Sequence, residues 1–441
     1  MTERMTEAVL GGATPEELER CPAPTTTRGL CVRKSEEKIF EGLAPSEIDV
    51  RKSLHFDEVP LPELAPDEVL VAVMASALNY NTVWTSMFLP VSTFRFLERF
   101  GRQGPEGARH DLDRHVLGSD AAGVIVRRGP GVRHYGVGDH VVITTLYSDD
   151  QEPIAQWDGM LVSDQRAWGF ETNFGGLAHY TVVKASQLLP KPGYLTWEEA
   201  ASTTLCLMTA YRMLISSNGA CVKVGDIVLV WGAVGGLGAF GVQLARAAGC
   251  RVAGVVGDSH KAELARSLGC DHVIDRNELG DLTTPKGWRA LGQALRDAFG
   301  EDPHHVFEHV GRATFGASVY VARRGGTVVT CGSSAGYQHE FDNRHLWMKL
   351  KRIIGSHGAN YQEAWEAHQL LSRGTILPTM SEVVRLENAT DAVRRMHRNE
   401  HVGKVSVLSL APEEGLGVSD PQLRDRVPDE RLHLFRRARE R

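Results

Sequence analysis

Apolar and polar positions follow one rhythm in the first half of the chain and another after it. Residues 1–50 are mostly polar, with a short helix expected over 14–19 behind the cap sequence TPEE. The run DEVLVAVMASA at 67–77 reads as a strand. Residues 115–146 alternate β-forming residues with glycine turns, the pattern of a small glycine-rich β-barrel or sandwich. Residues 147–168 are polar and turn-rich and read as a surface excursion. Helical periodicity behind a TWEE start predicts a helix over 195–216.

From 227 onward the rhythm becomes strand, turn and helix, repeated. Apolar runs at 227–231 (IVLVW), 251–256 (RVAGVV), 272–274, 305–308 (HVFE) and 327–331 (TVVTC) predict strands. Helices are expected between them, at 236–248, 261–268, 288–298 and 313–322. Such alternation means βαβ units on a parallel sheet. After 352 the pattern is mixed. Residues 405–410 read as a last strand returning to the first domain, and the charged, proline-punctuated stretch from 412 as a surface extension. The fold class expected is α/β: a β-rich domain of residues 1–205 and 346–441, and a doubly wound nucleotide-binding domain of residues 206–345.

Composition narrows the function classes. With 441 residues, 42% hydrophobic and 24% charged, the chain is an ordinary globular protein with room for two or three domains. A formal charge of -6 argues against a dedicated nucleic-acid binder, while leaving room for a local basic patch that meets a phosphorylated ligand. No stretch reaches the ~18 consecutive apolar residues that cross a bilayer, so no membrane partner is expected. The start is acidic and polar, and the seven cysteines are odd in number with no CxxC, which reads as reduced thiols in a cytoplasmic protein.

Residues 227–239 read IVLVWGAVGGLGA, a strand, a glycine turn and a helix start. That context gives a glycine motif its meaning. Ala233 takes the place of the first fingerprint glycine, Gly235 and Gly238 those of the second and third, with Gly236 between. Gly235 lets the backbone approach a pyrophosphate and Gly238 lets the helix pack closely on the strand. The helix N-terminus offers free N–H groups and positive potential to the phosphates. NAD calls for an acidic residue at the end of the second strand, where Val256 and Gly257 stand; Asp258 comes one residue later. Lys261, with Ser259 or His260, suits a 2′-phosphate and favours NADPH. Lys261 also reads as a solvated residue of a helix's first turn.

A β-rich domain wrapped around a nucleotide domain resembles the medium-chain dehydrogenase/reductase superfamily, in which the two domains are GroES-like and Rossmann. In its zinc alcohol dehydrogenases a Gly-His-Glu segment holds a metal ligand. The corresponding stretch here is Gly118-Ser119-Asp120, no four-cysteine lobe is present, and no tetrahedral set of Cys, His and carboxylate is visible, so no metal is expected. Lacking a Lewis acid to polarise a plain alcohol or ketone, the chain points to conjugate reduction of an activated C=C.

Six longer segments narrow the resemblance: SALNYNTVWTSMFLPVSTF (76–94), WGFETNFGGLA (168–178), WGAVGGLG (231–238), FGASVYV (315–321), LWMKLKRIIGSH (346–357) and APEEGLGV (411–418). Spread over nearly the whole chain, they resemble the crotonyl-CoA carboxylase/reductases, the reductive enoyl-CoA carboxylases of that superfamily. The resemblance implies a reaction. A hydride from NADPH goes to the β-carbon of an enoyl thioester, and the α-carbon of the resulting enolate attacks CO2 to give an alkylmalonyl-CoA, a polyketide extender unit. It implies also a homo-oligomer, a tetramer, with the ligand cleft between the two domains.

Four residues match the family's CO2-holding set. Asn81, in LNYN, would donate its amide to one CO2 oxygen. Phe170 and Glu171, in GFETN, would line the pocket and orient a water or a histidine. His357, in GSH, would bind the other oxygen directly or through water. Read alone, each has a plainer role: turn former, core residue, structural histidine. Family members specialised for crotonyl-CoA are expected to carry a bulky Phe after GSH; Gly358 stands here, leaving room for a longer or branched acyl tail, or merely serving a turn. Lys349, Lys351 and Arg352, with Arg323 and Arg324, are cations for the phosphates of CoA, Arg352 foremost, unless the run is only a solvated face. The alternative activity is a simple NADPH-dependent enoyl-thioester or quinone reductase that adds no CO2.

Overall fold

The computed structural model describes residues 2–440, and the chain divides into two compact units. The first unit comprises Met1–Leu205 and Glu382–Pro428, the second Cys206–Ser381 and Asp429–Arg441.

The first unit is built around a 7-stranded sheet in the order Leu188–Pro190, His140–Ile143, Ala121–Arg128, Glu68–Ala77, Lys404–Leu408 and Met380–Arg385, with Tyr180–Lys184 also pairing to Glu68–Ala77. Glu68–Ala77 is the hub. It runs antiparallel to Ala121–Arg128 on one side. On the other it meets Tyr180–Lys184 over its first half and Lys404–Leu408 over its second. All its residues are buried, which is why EVLVAVMASA lacks the alternation of a half-exposed strand. The last of these pairings brings the chain back as the pattern at 405–410 suggested. A second, 3-stranded sheet joins His55–Pro60, Thr26–Arg33 and Arg114–Val116. The excursion after 147 carries short helical turns and closes in a ribbon between Leu146–Tyr147 and Arg166–Ala167. Helices Tyr80–Met87 and Phe94–Gly101 seal the core with Val83, Met87, Phe94 and Leu97 against Leu117, Val405 and Val407.

The helix expected over 195–216 is broken in two, Trp197–Ala201 and Thr204–Leu214. The cause is local. Ser202 Oγ donates to Glu199 O at 2.7 Å and Thr203 Oγ1 to Ala200 O at 2.8 Å. Hydroxyls that bond the preceding turn compete with the helical ladder.

The second unit is a parallel 6-stranded sheet in the order His272–Asp275, Arg251–Val256, Ile227–Val230, His305–Glu308, Thr327–Thr330 and Arg352–Gly355. Numbered along the chain this is 3-2-1-4-5-6, the doubly wound nucleotide-binding arrangement. One expectation needs correction. The segment from 346 does not rejoin the first unit. Arg352–Gly355 pairs in parallel with Thr327–Thr330 (Thr327↔Arg352, Thr330↔Gly355) and becomes the sixth strand; the return comes only at Glu382. A four-residue strand that begins with Arg, lies at the sheet edge and is largely exposed has no apolar run to announce it. The tail also divides: Asp429–Arg441 belongs to the second unit, where helix Leu434–Glu440 lies against helix His260–Leu268.

Candidate active site

In the second unit, strand Ile227–Val230 ends in a turn whose glycines do different work. Gly232 has φ 55°, and a Cβ on Gly238 would lie 2.2 Å from Gly232 O, so the first turn of helix Gly236–Ala247 is pressed onto the strand end. A Cβ on Gly235 would meet nothing nearer than 3.3 Å; that face is open. Ala233 is buried, donating its N–H to Val255 O at 3.1 Å. Its methyl is tolerated because Gly254 stands opposite, where a Cβ would come within 3.0 Å of it. The amides of Gly236, Leu237 and Gly238 have no intrahelical acceptor. The turn therefore fits a pyrophosphate. Beside it, fully buried Glu308 accepts from Val310 N at 2.8 Å, Gly311 N at 3.0 Å, Thr314 Oγ1 at 2.9 Å and Ser318 Oγ at 2.5 Å. Trp231 Nε1 donates to the same Ser318 at 2.8 Å, and His309 Nε2 lies 2.8 Å from Trp231 O. Burial pushes His309 down from its ordinary pKa, favouring the neutral ring. This network fixes the loop that follows the fourth strand; HVFE reads only as a strand in sequence, without the buried role of its Glu.

At the end of the second strand, Asp258 is engaged by Lys261: Oδ1 accepts the Lys261 N–H at 3.0 Å and Oδ2 lies 3.5 Å from Nζ. Ser259 is the residue before helix His260–Leu268. Sequence reasoning missed a third group here. Register pairs Val256 with Asp275, so Arg276 arrives beside Gly257; a Cβ on Gly257 would lie 3.6 Å from its Nη2. Arg276 is exposed and forms no ion pair among the described residues, while Asn277 Nδ2 ties the loop to Gly257 O at 2.7 Å. Only parallel pairing of the second and third strands brings Arg276 to this corner. The signal available was a basic residue directly after the third strand, His272–Asp275.

In the first unit, the place where relatives carry a metal-ligating segment is filled by a buried ion pair. Asp120 and Lys404 side chains are 0% and 2% exposed, with Nζ 2.9 Å from Oδ2. Asn79 Nδ2 also donates to Oδ2 at 2.8 Å, and Thr204 Oγ1 and Leu205 N donate to Oδ1 at 2.5 and 2.8 Å. Asp120 thus caps the start of helix Thr204–Leu214, and its acceptor capacity is filled. Among the described residues, no three His, Cys, Asp or Glu side chains gather to hold a metal ion.

Asn81, Phe170 and Glu171 do come together. Asn81 lies in the first turn of helix Tyr80–Met87; its Nδ2 donates to Ser119 Oγ at 2.8 Å, and Ser119 Oγ donates to Trp168 O at 2.7 Å. Asn81 Oδ1 is buried without a partner among the described residues. An amide anchored at one end and unpaired at the other is the pattern of a ligand-facing group. Trp168 leads into a closed turn. Glu171 N donates to Ala167 O at 2.7 Å, and Ala167 N to Glu171 Oε2 at 2.8 Å, so the carboxylate is held with Oε1 left over. The Phe170 ring is half-buried and meets Phe96 at 6.0 Å between centroids. Two histidines brace the next residues: Asn173 N donates to His110 Nδ1 at 3.1 Å, and His115 Nε2 lies 3.2 Å from Thr172 O. Burial pushes them down to about 3 and about 4.

His357, Gly358, Arg352 and Lys349 stand in the second unit, around the edge strand Arg352–Gly355. His357, Arg352 and Lys349 are exposed there. Gly358 has φ 51°. That alone does not demand glycine, since Phe88 and Phe174 adopt φ 56° and 62° in this same chain. Lys351 departs from the expectation of a phosphate-binding cation. It is buried, its Nζ donates to Val319 O at 2.6 Å and Tyr320 O at 2.9 Å, and burial lowers it to about 8. It caps the end of helix Phe315–Val321.

A parallel six-stranded dinucleotide-type sheet and a β-rich companion unit are the two parts of a medium-chain dehydrogenase/reductase. Two family models agree: alcohol dehydrogenase GroES-like domain matches residues 65–193, and zinc-binding dehydrogenase residues 236–373. Relatives narrow the class. The crotonyl-CoA reductase of Streptomyces avermitilis is 54% identical over 93% of this chain and 94% of its own. The crotonyl-CoA carboxylase/reductase of Cereibacter sphaeroides is 39% identical over 83% of this chain and 86% of its own. Among solved structures, the 2-octenoyl-CoA carboxylase reductase CinF, in complex with NADP and 2-octenoyl-CoA, superposes with a TM-score of 0.95 at 54% identity, covering 98% of both chains. The chain belongs to the crotonyl-CoA carboxylase/reductase family.

Proposed function

We propose that this protein is an NADPH-dependent reductive carboxylase of 2-enoyl-CoA thioesters, making an alkylmalonyl-CoA. The observation that carries the reading is the held Asn81 amide beside the Phe170–Glu171 turn, in a chain with a dinucleotide turn and this family membership. NADPH, when bound, supplies the hydride that reduces the β-carbon. Gly235 and the amides of Gly236–Gly238 receive its pyrophosphate; Lys261, Ser259 and Arg276 receive the 2′-phosphate. What the protein must then do is decide the fate of the enolate. Asn81 presents an amide hydrogen to an oxygen of CO2, where negative charge grows as the new C–C bond forms. Phe170 shields that α-carbon from water. Glu171 keeps one carboxylate oxygen for a water. Exposed Arg352 and Lys349, with no carboxylate partner among the described residues, take the phosphates of CoA.

The acyl chain is longer than crotonyl. Identity to relatives does not separate the cases, because the crotonyl-CoA reductase and the 2-octenoyl-CoA enzyme are both 54% identical to this chain. The glycine at 358 supports the longer tail, which fits an extender unit for polyketide assembly. The working form is a homo-oligomer, a tetramer. Its support is the edge strand Arg352–Gly355, one side of which has no partner strand among the described residues, next to exposed Trp347, Met348, Leu350 and Ile353. An apolar sheet edge left in water invites pairing with a second copy. Steady-state kinetics with enoyl-CoAs from C4 to C10, NADPH and labelled bicarbonate test the reading. Carboxylated products with an optimum above C4 are expected; a clear C4 optimum refutes the chain-length part, and saturated acyl-CoA alone refutes the carboxylase.

A further inference from the structure

We propose that Ser119 is a positioning residue for carboxylation: its one hydroxyl sets the orientation of the Asn81 amide against the Trp168–Glu171 turn. The inference rests on the function proposed above. Ser119 is fully buried. Its hydroxyl has a single proton, and Trp168 O takes it at 2.7 Å. Toward Asn81 it can therefore only accept, which forces the Nδ2 end of the amide to face it, at 2.8 Å. Turned over, the amide would set Oδ1 against the lone pairs of the serine. One hydroxyl thus decides which end of Asn81 is anchored, and so where the second amide hydrogen and the unpartnered Oδ1 point.

The surroundings leave no slack for this arrangement to be loose. Gly169 has φ 71°, and a Cβ on it would lie 1.9 Å from Gly118 O; a Cβ on Gly175 would lie 2.4 Å from Leu117 O. The turn bearing Ser119 and the turn bearing Phe170 and Glu171 are packed backbone against backbone, and the serine hydroxyl bridges them. Asn81 and the Phe170–Glu171 turn are therefore oriented by the same atom.

The consequence is a partition of the enolate. Along one branch the electron pair of the α-carbon forms a bond to the carbon of CO2, and an oxygen of CO2 takes the negative charge. Along the other, the α-carbon takes a proton from water and the product is the saturated thioester. A wandering Asn81 amide weakens only the first branch. The test compares wild type, Ser119→Ala and Ser119→Cys with 2-octenoyl-CoA, NADPH and labelled bicarbonate, recording label fixed per NADPH oxidised, the bicarbonate KM and the thermal midpoint. In Ser119→Ala the labelled fraction should fall about tenfold while NADPH oxidation at saturating thioester stays within about twofold, the loss of one oriented donor. Ser119→Cys, which keeps a weak donor and acceptor, should fall between; if the alanine variant does not fold, the cysteine variant must still show the reduced fraction. A wild-type fraction in the variants, or parallel loss of label and NADPH oxidation, overturns the positioning role. Wild type that oxidises NADPH without fixing label overturns the carboxylase itself, and this inference with it.

Discussion

Two turns in this protein are made possible by glycines that remove a Cβ from a carbonyl, yet they do opposite things with the space. At the dinucleotide turn, Gly238 lets the helix press onto the strand end where a Cβ would lie 2.2 Å from Gly232 O, and the outcome is a row of amides without intrahelical acceptors. At the second place, Gly169 lets two loops meet where a Cβ would lie 1.9 Å from Gly118 O, and side chains take over: Ser119, Asn81 and Glu171 are each fixed by named bonds. The first turn offers the backbone to a ligand that brings its own charge. In the proposed function the second would hold a small neutral ligand, and it would do so with oriented side chains. A phosphate site can be made from backbone alone; a site for a weakly binding gas needs the side chains immobilised first.

The largest way to break this comparison is at Gly169. Alanine there meets both a carbonyl and a left-handed backbone, and Gly169→Ala is expected to cost several kcal/mol or abolish soluble expression. Gly235→Ala, with nothing nearer than 3.3 Å, should fold normally and lose NADPH affinity alone. Circular dichroism melts and NADPH titration separate the two outcomes.

Next in size is the ion pair beneath the second turn. Lys404→Met leaves the Asp120 carboxylate buried and uncompensated, which should destabilise the first unit by about 3–5 kcal/mol in urea unfolding. Asp120→Leu added to it should recover a good part of that loss, because the desolvation cost disappears with the charge.

A sharper and smaller effect belongs to the dinucleotide side. Lys261→Ala and Arg276→Ala should each raise the KM for NADPH about tenfold while leaving that for NADH unchanged, as expected of contacts to the 2′-phosphate only. Equal effects on both cofactors would place these side chains elsewhere on the nucleotide.

A further effect concerns pH. Burial disfavours the imidazolium of His110 and His115 and pushes them down from their ordinary 6.5 to about 3 and about 4. The unfolded chain binds those protons first, so stability is retained above pH ~6.5 and lost as pH falls toward 4. The thermal midpoint should decline through that window, and less so in a His110→Gln variant.

Most of the architecture could be read from the chain because it rests on periodicity. The strands of the second unit, the apolar hub strand and the strand that returns near 405 all announce themselves as apolar runs. The sixth strand did not, being four exposed residues at an edge, and its absence misplaced the domain return at 346. The unbroken helix at 195–216 failed because two hydroxyls bond backward. In the candidate site, Gly235 and Gly238 were legible from spacing. Asn81, Phe170, Glu171 and His357 were visible only through family resemblance, since no spacing brings LNYN to GFETN. Arg276, Glu308 and the Asp120–Lys404 pair depend on strand register and on partners distant in sequence. Lys351 looked like a ligand because a helix cap and a phosphate clamp share the same residue type.

The central claim is that this pocket delivers carbon dioxide, not a proton, to the enolate. The measurement that bears on it most directly is the ratio of labelled carbon fixed to NADPH oxidised by the wild-type protein at saturating bicarbonate. The account predicts a ratio near one that collapses when bicarbonate is withdrawn. NADPH oxidised with no label in the thioester product would contradict it.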